Sequence, residues 1–272
     1  MTEPERPFSH VDQSTEELRR HMLAYLDAAA GNPEILRVRA VALDALAPTP
    51  GQRLLDAGCG AGEVARKLRR LVGPDGAVTA LDYSKEYVAA AAARHDGDPV
   101  DYVVGDVGAL EFPDAHFDGV RSERVFQHLE DPDAAVRELA RVTVPGGAVC
   151  VVDTDWASLL FDGVDQTVVA RVVAKLGGTG MMRNATMGRS LRGRMVRAGL
   201  AGVETMPVTL RFTEPESAGQ VLPLVDPKAA TPLAALLGEG LVGAFHATVD
   251  EAAARGDFLA AFTMWVTVGR AV

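Results

Sequence analysis

The stretch from Arg53 to Glu63, Arg-Leu-Leu-Asp-Ala-Gly-Cys-Gly-Ala-Gly-Glu, constrains the fold more than any other part of the chain. A short apolar run leads into glycines at alternate positions, Gly58, Gly60 and Gly62. Beyond them, Glu63 to Val72 carries Val64, Leu68 and Leu71 at helical spacing, and Gly73 ends the pattern. Strand, glycine turn and helix in this order open a nucleotide-binding crossover. Glycine at the turn lets the backbone approach a ligand without side-chain obstruction.

The pattern then repeats its alternation. Ala77 to Leu81, Val100 to Val104, Phe117 to Val120 and Ala148 to Val152 read as short apolar strands. Between them, Ser84 caps a helix running to about Arg94, and Asp131-Pro132 opens another with Val136 and Leu139 inward. Near-continuous apolar strands separated by amphipathic helices predict an α/β fold with a mostly parallel sheet covered on both faces. After Asp153 the alternation loosens. Helices are expected over 166–176 and 189–198, and strands over 203–212 and 262–269. Leu233, Leu236, Leu237, Leu241, Phe245 and Val249 suggest helical cover.

Ahead of this core, Ser14-Thr15-Glu16-Glu17 forms a capping box, and Leu18, Met22, Tyr25 and Leu26 follow at helical spacing. Asn32-Pro33 starts a second helix that stops before Pro48. Residues 1–48 are expected to form an N-terminal helical lid over a domain of residues 49–272. That domain would carry insertions at about 155–190 and 213–257.

At 272 residues the chain is long enough for a sizeable core. No apolar run reaches the ~18 residues of a membrane helix, and the N-terminus lacks the apolar core of a signal peptide. A cytoplasmic protein is expected. The net charge of −10 argues against nucleic acid as a partner. Cys59 and Cys150 are too few for a disulfide framework and lack metal-ligand spacing, so neither metal nor membrane is expected.

A dinucleotide would ask for glycine where Glu63 stands. Glu63 and Asp56 together are expected to disfavour phosphates and favour a cationic ligand. S-adenosylmethionine, with an ammonium and a sulfonium and no phosphate, meets that requirement. Asp82 lies near the ~20-residue interval for an acid on ribose hydroxyls. Asp106 is placed to accept from an adenine amino group, with the Val107 N–H on the ring. Each acid alone reads equally as a cap or turn residue.

Leu54 to Gly62 resembles the first motif of class I S-adenosylmethionine-dependent methyltransferases. Val78 to Asp82 and Val104 to Val107 resemble the second and third, and Ser122 to Pro132 with Pro145-Gly146-Gly147 the later pair. The chain is most similar to the small-molecule branch, which includes ubiquinone/menaquinone and natural-product methyltransferases. The resemblance covers residues 50–155 well. It implies a seven-stranded Rossmann-like doubly wound sheet with a reversed last strand. It also implies Gly58, Gly60, Asp82 and Asp106 as cofactor residues; Asp56, Gly62, Tyr83, Val107 and Tyr25 complete the expected set.

Methyl transfer requires an aligned acceptor, a dry site and, where needed, a base. His128 is the candidate base, or else a loop histidine bonded to backbone. Glu123 would assist it or orient a cationic acceptor, or would pair with Arg121 or Arg124. Tyr25 would fold over the methionine end or pack in the core, and His10 would join the lid. Trp156, Met181, Met182 and Arg183 fall on the expected acceptor side, where a Met/aromatic wall suits an apolar or aromatic acceptor and Arg183 an acidic group. The expected activity is methylation of a small metabolite at O, N or C. The alternatives are a nicotinamide-dependent oxidoreductase and a non-catalytic S-adenosylmethionine-binding protein. The oligomeric state is not encoded in any local pattern.

Overall fold

A computed structural model describes residues 15–94, 97, 99–178, 183–227 and 237–272. His10, Ser14, His95, Met181, Met182, Leu233 and Leu236 lie outside the described residues.

Helices α1 (Glu16–Gly31) and α2 (Pro33–Leu46) come first. Asn32 caps α2 by accepting from the Glu34 N–H at 3.0 Å, and Pro33 occupies its first turn. The core alternation follows: β1 (Arg53–Ala57), α3 (Glu63–Val72), β2 (Ala77–Asp82), α4 (Lys85–Ala93), β3 (Asp101–Val104) and β4 (Phe117–Glu123). A short 3-10 turn, Phe126–His128, leads to α5 (Pro132–Val142) and β5 (Thr143–Asp162). Then come α6 (Gln166–Gly178), α7 (Met187–Arg197), β6 (Ala201–Phe212), α8 (Pro215–Gly219), α9 (Glu239–Arg255) and β7 (Leu259–Arg270).

The strands form one seven-stranded sheet in the order β3-β2-β1-β4-β5-β7-β6. β1 runs parallel to β2 and β4, with Leu55 opposite Thr79 on one side and Val120 on the other. β7 is the reversed strand, antiparallel to both β5 and β6. From β1 the chain winds outward through β2 and β3, then returns to place β4 on the other side. The carboxyl ends of β1 and β4 therefore mark the switch point where such sheets bind ligands.

Two buried clusters cover the two faces. Ile35, Leu68, Phe245 and Phe262 belong to one, and Phe117, Phe126, Leu139 and Leu191 to the other. Leu54 to Ala57 are buried without interruption, as a central strand covered on both sides requires. Burial of each large aliphatic side chain such as Leu68 stabilises by about 1.5–3 kcal/mol.

Three expectations are corrected. First, β4 does not stop at Val120 but continues through Arg121, Ser122 and Glu123, which face Cys150, Val151 and Val152 of β5. The charged pair ends the apolar run but not the strand, because the two side chains neutralise each other. Second, β5 does not begin at Ala148 but at Thr143, ahead of Pro145-Gly146-Gly147. The register slips there, with Gly146 at φ +82°, and pairing to β4 resumes at Ala148. Third, β5 does not end near Val152 but runs to Asp162. A second irregularity between Asp155 and Leu160 lets Leu160 and Phe161 pair with Ala261 and Ala260. The insertion expected from residue 155 therefore begins as sheet.

The outer edge of β6 is covered near its carboxyl end by α2. Glu34 Oε2 accepts from the Arg211 N–H at 3.3 Å, and Arg37 donates to the Thr209 carbonyl. Unpaired backbone groups of an edge strand are thereby occupied.

Candidate active site

The glycine turn is folded back onto the end of β2. The Gly58 and Cys59 N–H groups donate to the Leu81 carbonyl at 2.7 and 2.9 Å. The Gly60 N–H donates to Asp82 Oδ2 at 2.8 Å, while Asp82 Oδ1 accepts from the Ser84 N–H at 3.0 Å. Asp82 therefore organises the turn as well as standing at the strand end expected for a ribose acid. Gly58 has φ +81°, and a Cβ there would lie 2.1 Å from Val125 Cγ2. At Gly62, φ +75°, a Cβ would meet Tyr102 Oη at 2.8 Å. Gly60, by contrast, faces more open space, with Leu26 Cδ1 3.4 Å from an added Cβ.

Over this turn lies a cleft of about 360 Å³. Its floor includes Gly58 and Gly60, its roof Leu26 and Ala30 of α1, and its far wall the end of β4. Four arginines line it: Arg39, Arg66, Arg121 and Arg124. Buried beside it runs an ionic chain. Arg121 donates to Asp56 Oδ1 at 2.8 Å and to Glu123 Oε2 at 2.6 Å. Arg39 Nε donates to both Glu123 oxygens at 3.0 and 3.1 Å, and its Nη1 to Glu63. Burial raises the Asp56 carboxyl, although Arg121 opposes the rise. Burial would also raise Glu123, but Arg39, Arg121 and Arg124 outweigh it and hold the group down at about 2.

This network corrects the electrostatic expectation. Glu63 and Asp56 do not present bare negative charge, because Arg39 and Arg121 neutralise them. Glu123 is likewise an ion-pair partner, and a carboxylate held at about 2 takes up no proton at neutral pH. Within this network, Asp56 Oδ2 stays buried without a hydrogen-bond partner.

The residues after β4 form a strap across the end of the sheet. Asp153 Oδ2 accepts from the Gln127 N–H at 3.0 Å. Trp156 Nε1 donates to Gln127 Oε1 at 2.7 Å, and Asn184 Nδ2 donates to the Phe126 and Leu129 carbonyls. His128 is carried by this strap. Burial, with the nearby Arg124 charge, pushes its imidazole down to about 4, so the ring is neutral at pH 7. Burial pushes the Asp153 carboxyl up to about 7. Tyr25 on α1 donates to the Val221 carbonyl at 3.0 Å, and Arg124 Nη1 donates to the Tyr25 hydroxyl at 3.3 Å. Trp156 stacks on Phe262, ring centroids 5.4 Å apart, and Arg183 pairs with Glu130 at 2.8 Å.

On the other side of the turn, Tyr83 is 68% exposed and Val104 52%. Val104 ends β3 opposite Asp82, the last residue of β2, and Tyr83 follows Asp82. Asp106 is exposed and accepts from the Gly108 N–H at 2.7 Å, while Val107 is buried. Asp82, Tyr83, Asp106 and Val107 do not line the arginine-rich cleft; they flank the turn at the β2–β3 edge.

Sequence reasoning missed Arg39, Gln127, Asp153 and Asn184. The signal for Asp153 was a carboxylate at the end of a buried apolar run, where an acid persists only with partners. Arg39 and Asn184 carried no local signal. Among the described residues no group of three or more His, Cys, Asp or Glu is placed to hold a metal ion, and no helix is long and apolar enough to cross a membrane.

A doubly wound sheet in this order, with a glycine turn and a cleft at its switch point, defines a Rossmann-like nucleotide-binding α/β protein. The Methyltransferase domain family matches residues 55–151. The uncharacterized 37.1 kDa protein in transposon TN4556 of Streptomyces fradiae is 35% identical over 250 residues, 92% of this chain and 71% of that protein. The 2-phytyl-1,4-naphtoquinone methyltransferase of Synechocystis is 37% identical over 109 residues, 39% of this chain and 46% of that enzyme. The chain thus spans less than half the length of that quinone enzyme. The crystal structure of the [4+2]-cyclase SpnF superposes with a TM-score of 0.57 at 22% identity, covering 87% of this chain and 81% of that one, a likeness of fold. The chain belongs to the class I S-adenosylmethionine-dependent methyltransferases.

Proposed function

We propose that the chain methylates a small organic acceptor, at O, N or C, within the cleft roofed by α1 and closed by the strap after β4. The observation that carries this reading is the cleft itself, which opens directly on Gly58 and Gly60 at the switch point. The residues present fit the cofactor. Gly60 gives bare backbone on the cleft floor, with room beside it that a side chain would otherwise take. Tyr83 and Val104 offer exposed apolar surface beside Asp82 for a base, with Asp106 and the Val107 N–H at its edge. S-adenosylmethionine, when bound, supplies a methyl group already activated on a sulfonium.

The chain's own work is alignment, exclusion of water and handling of one proton. Tyr25 and Leu26 place α1 over the cleft, and the Tyr25–Val221 bond ties that roof to the segment after α8. His128, neutral at pH 7 and carried on the strap rather than in the cleft lining, is the candidate base for the hydroxyl or amine to be methylated. A ring held at about 4 is a weak base. It suffices because the acceptor becomes strongly acidic only as the new bond to carbon forms. Trp156 offers a half-buried aromatic face to an apolar or aromatic acceptor. The quinone methyltransferase relative supports a small-molecule acceptor of this kind.

Calorimetry with S-adenosylmethionine and with NADH tests the cofactor reading; tight NADH binding and no response to S-adenosylmethionine would reverse it. A mass-spectrometric screen of small metabolites for a methyl gain tests the activity. Cofactor binding with no methylated product across phenols, quinones, amines and acids would favour a non-catalytic binding protein.

A further inference from the structure

The last residue before the strap is the only arginine among the described residues with left-handed backbone: Arg124, at φ +56°. A non-glycine residue held there costs of order 1 kcal/mol and persists where its surroundings over-determine it. They do so here. The Arg124 N–H donates to the Val152 carbonyl at 2.8 Å, and its own carbonyl accepts from Gln127 Nε2 at 3.2 Å. Ala47 and Ala115 are the other non-glycine residues with positive φ among the described residues, and neither lines the cleft. At Arg124 glycine would relieve the strain, yet the chain keeps a long cation.

The guanidinium lines the cleft and is mostly buried. Its partners are weak. Nη1 reaches the Tyr25 hydroxyl at 3.3 Å, Nε stands 3.9 Å from Glu123, and the Tyr25 ring centroid lies 6.0 Å away. Glu123 is already engaged by Arg39 and Arg121 at 3.0 and 2.6 Å. Arg39 and Arg121 each hydrogen-bond carboxylates of the ionic chain, whereas Arg124 is left as a buried cation with no carboxylate in hydrogen-bonding contact among the described residues. An arginine fork is shaped for a carboxylate, which it holds through paired donors.

We infer that Arg124 is a recognition group for a carboxylate carried into the cleft by a ligand. The inference rests on the cleft being the cofactor and acceptor site. The carboxylate has two sources, the amino-acid end of the cofactor or an acidic acceptor, and one experiment separates them. Calorimetry compares S-adenosylhomocysteine with its decarboxylated counterpart on the wild-type chain, Arg124→Asn and Arg124→Gly. A parallel titration places benzoate on each protein saturated with S-adenosylhomocysteine. Asparagine and glycine both tolerate the left-handed backbone, so the variants are expected to fold.

If the carboxylate is the cofactor's, the wild type prefers S-adenosylhomocysteine over the decarboxylated compound about tenfold or more, and both variants lose that preference. If it is the acceptor's, the preference is equal in all three proteins and benzoate weakens about tenfold or more in the variants. Variants that retain both the preference and the benzoate affinity overturn the assignment. So does a wild type that shows neither effect while binding S-adenosylhomocysteine. A wild type that binds no S-adenosylhomocysteine refutes the cofactor reading of the cleft, and this inference with it.

Discussion

Arg121 donates to Asp56 at 2.8 Å in a place where their side chains are only 4% and 1% exposed, which makes the strongest charges of the site part of its foundation. Buried ion pairs add little over apolar packing, but removing one partner strands the other. Arg121→Met leaves Asp56 and Glu123 buried without their shared cation. Urea unfolding should show a loss of about 3–5 kcal/mol. A loss below about 1 kcal/mol would mean that water or rearrangement reaches these carboxylates.

Gly58 is required twice, by its positive φ and by Val125. Gly58→Ala would force its methyl within 2.1 Å of Val125 Cγ2, so the strap beyond β4 must shift. We expect a stability loss of about 1–3 kcal/mol together with weakened cofactor binding. Adding Val125→Ala should restore part of both. A double variant no better than the single one would place the cost in the backbone alone.

Asp82 supports the turn through the Gly60 and Ser84 N–H groups and stands where a ribose would lie. Asp82→Ala should weaken S-adenosylmethionine binding by about 1–3 kcal/mol, the scale of a lost buried hydrogen bond. An unchanged dissociation constant would remove Asp82 from the cofactor site.

His128 links the strap to pH. Its folded value of about 4 lies below the ordinary 6.5, so the unfolded chain binds the extra proton between those limits. Stability is therefore lost as pH falls through that window. Asp153, held up at about 7 by burial, acts with the opposite sign over an overlapping window, so the whole-protein profile conceals both. His128→Asn isolates one of them. On going from pH 8 to pH 5 the wild type should fare worse than the variant by about 2 kcal/mol, whatever the sign of the net change. Equal changes in both proteins would contradict a buried, neutral ring.

His128→Ala should lower turnover while cofactor affinity holds near wild type. Unchanged turnover would leave the ring a structural part of the strap.

The sequence made the crossover legible because its determinants are local. Glycine spacing, an apolar run and one helical face between Arg53 and Val72 suffice to specify β1, the turn and α3. The same reasoning placed the end of β4 too early, since Arg121 and Glu123 read as a loop until their partners, Asp56 and Arg39, are brought to them from other elements. The start of β5 at Thr143, ahead of Pro145-Gly146-Gly147, is hidden for a similar reason: a bulge depends on the neighbouring strand. In the site, the glycines and the acids at strand ends were visible. The arginine lining was not, because a cation such as Arg39 on a helix resembles an ordinary wet face until the fold turns it inward. The Tyr25–Val221 bond joins positions 196 residues apart and leaves no trace in either segment.

The seal that Glu34 and Arg37 place on β6 has a bearing on handling the protein. A version trimmed to begin at the Rossmann-like core would free the Thr209 carbonyl and the Arg211 N–H near the end of a twelve-residue edge strand. Such a rim recruits further chains rather than staying solitary. Fragments lacking the first two helices, which also lose the cleft roof and Arg39, should associate more readily than the intact chain.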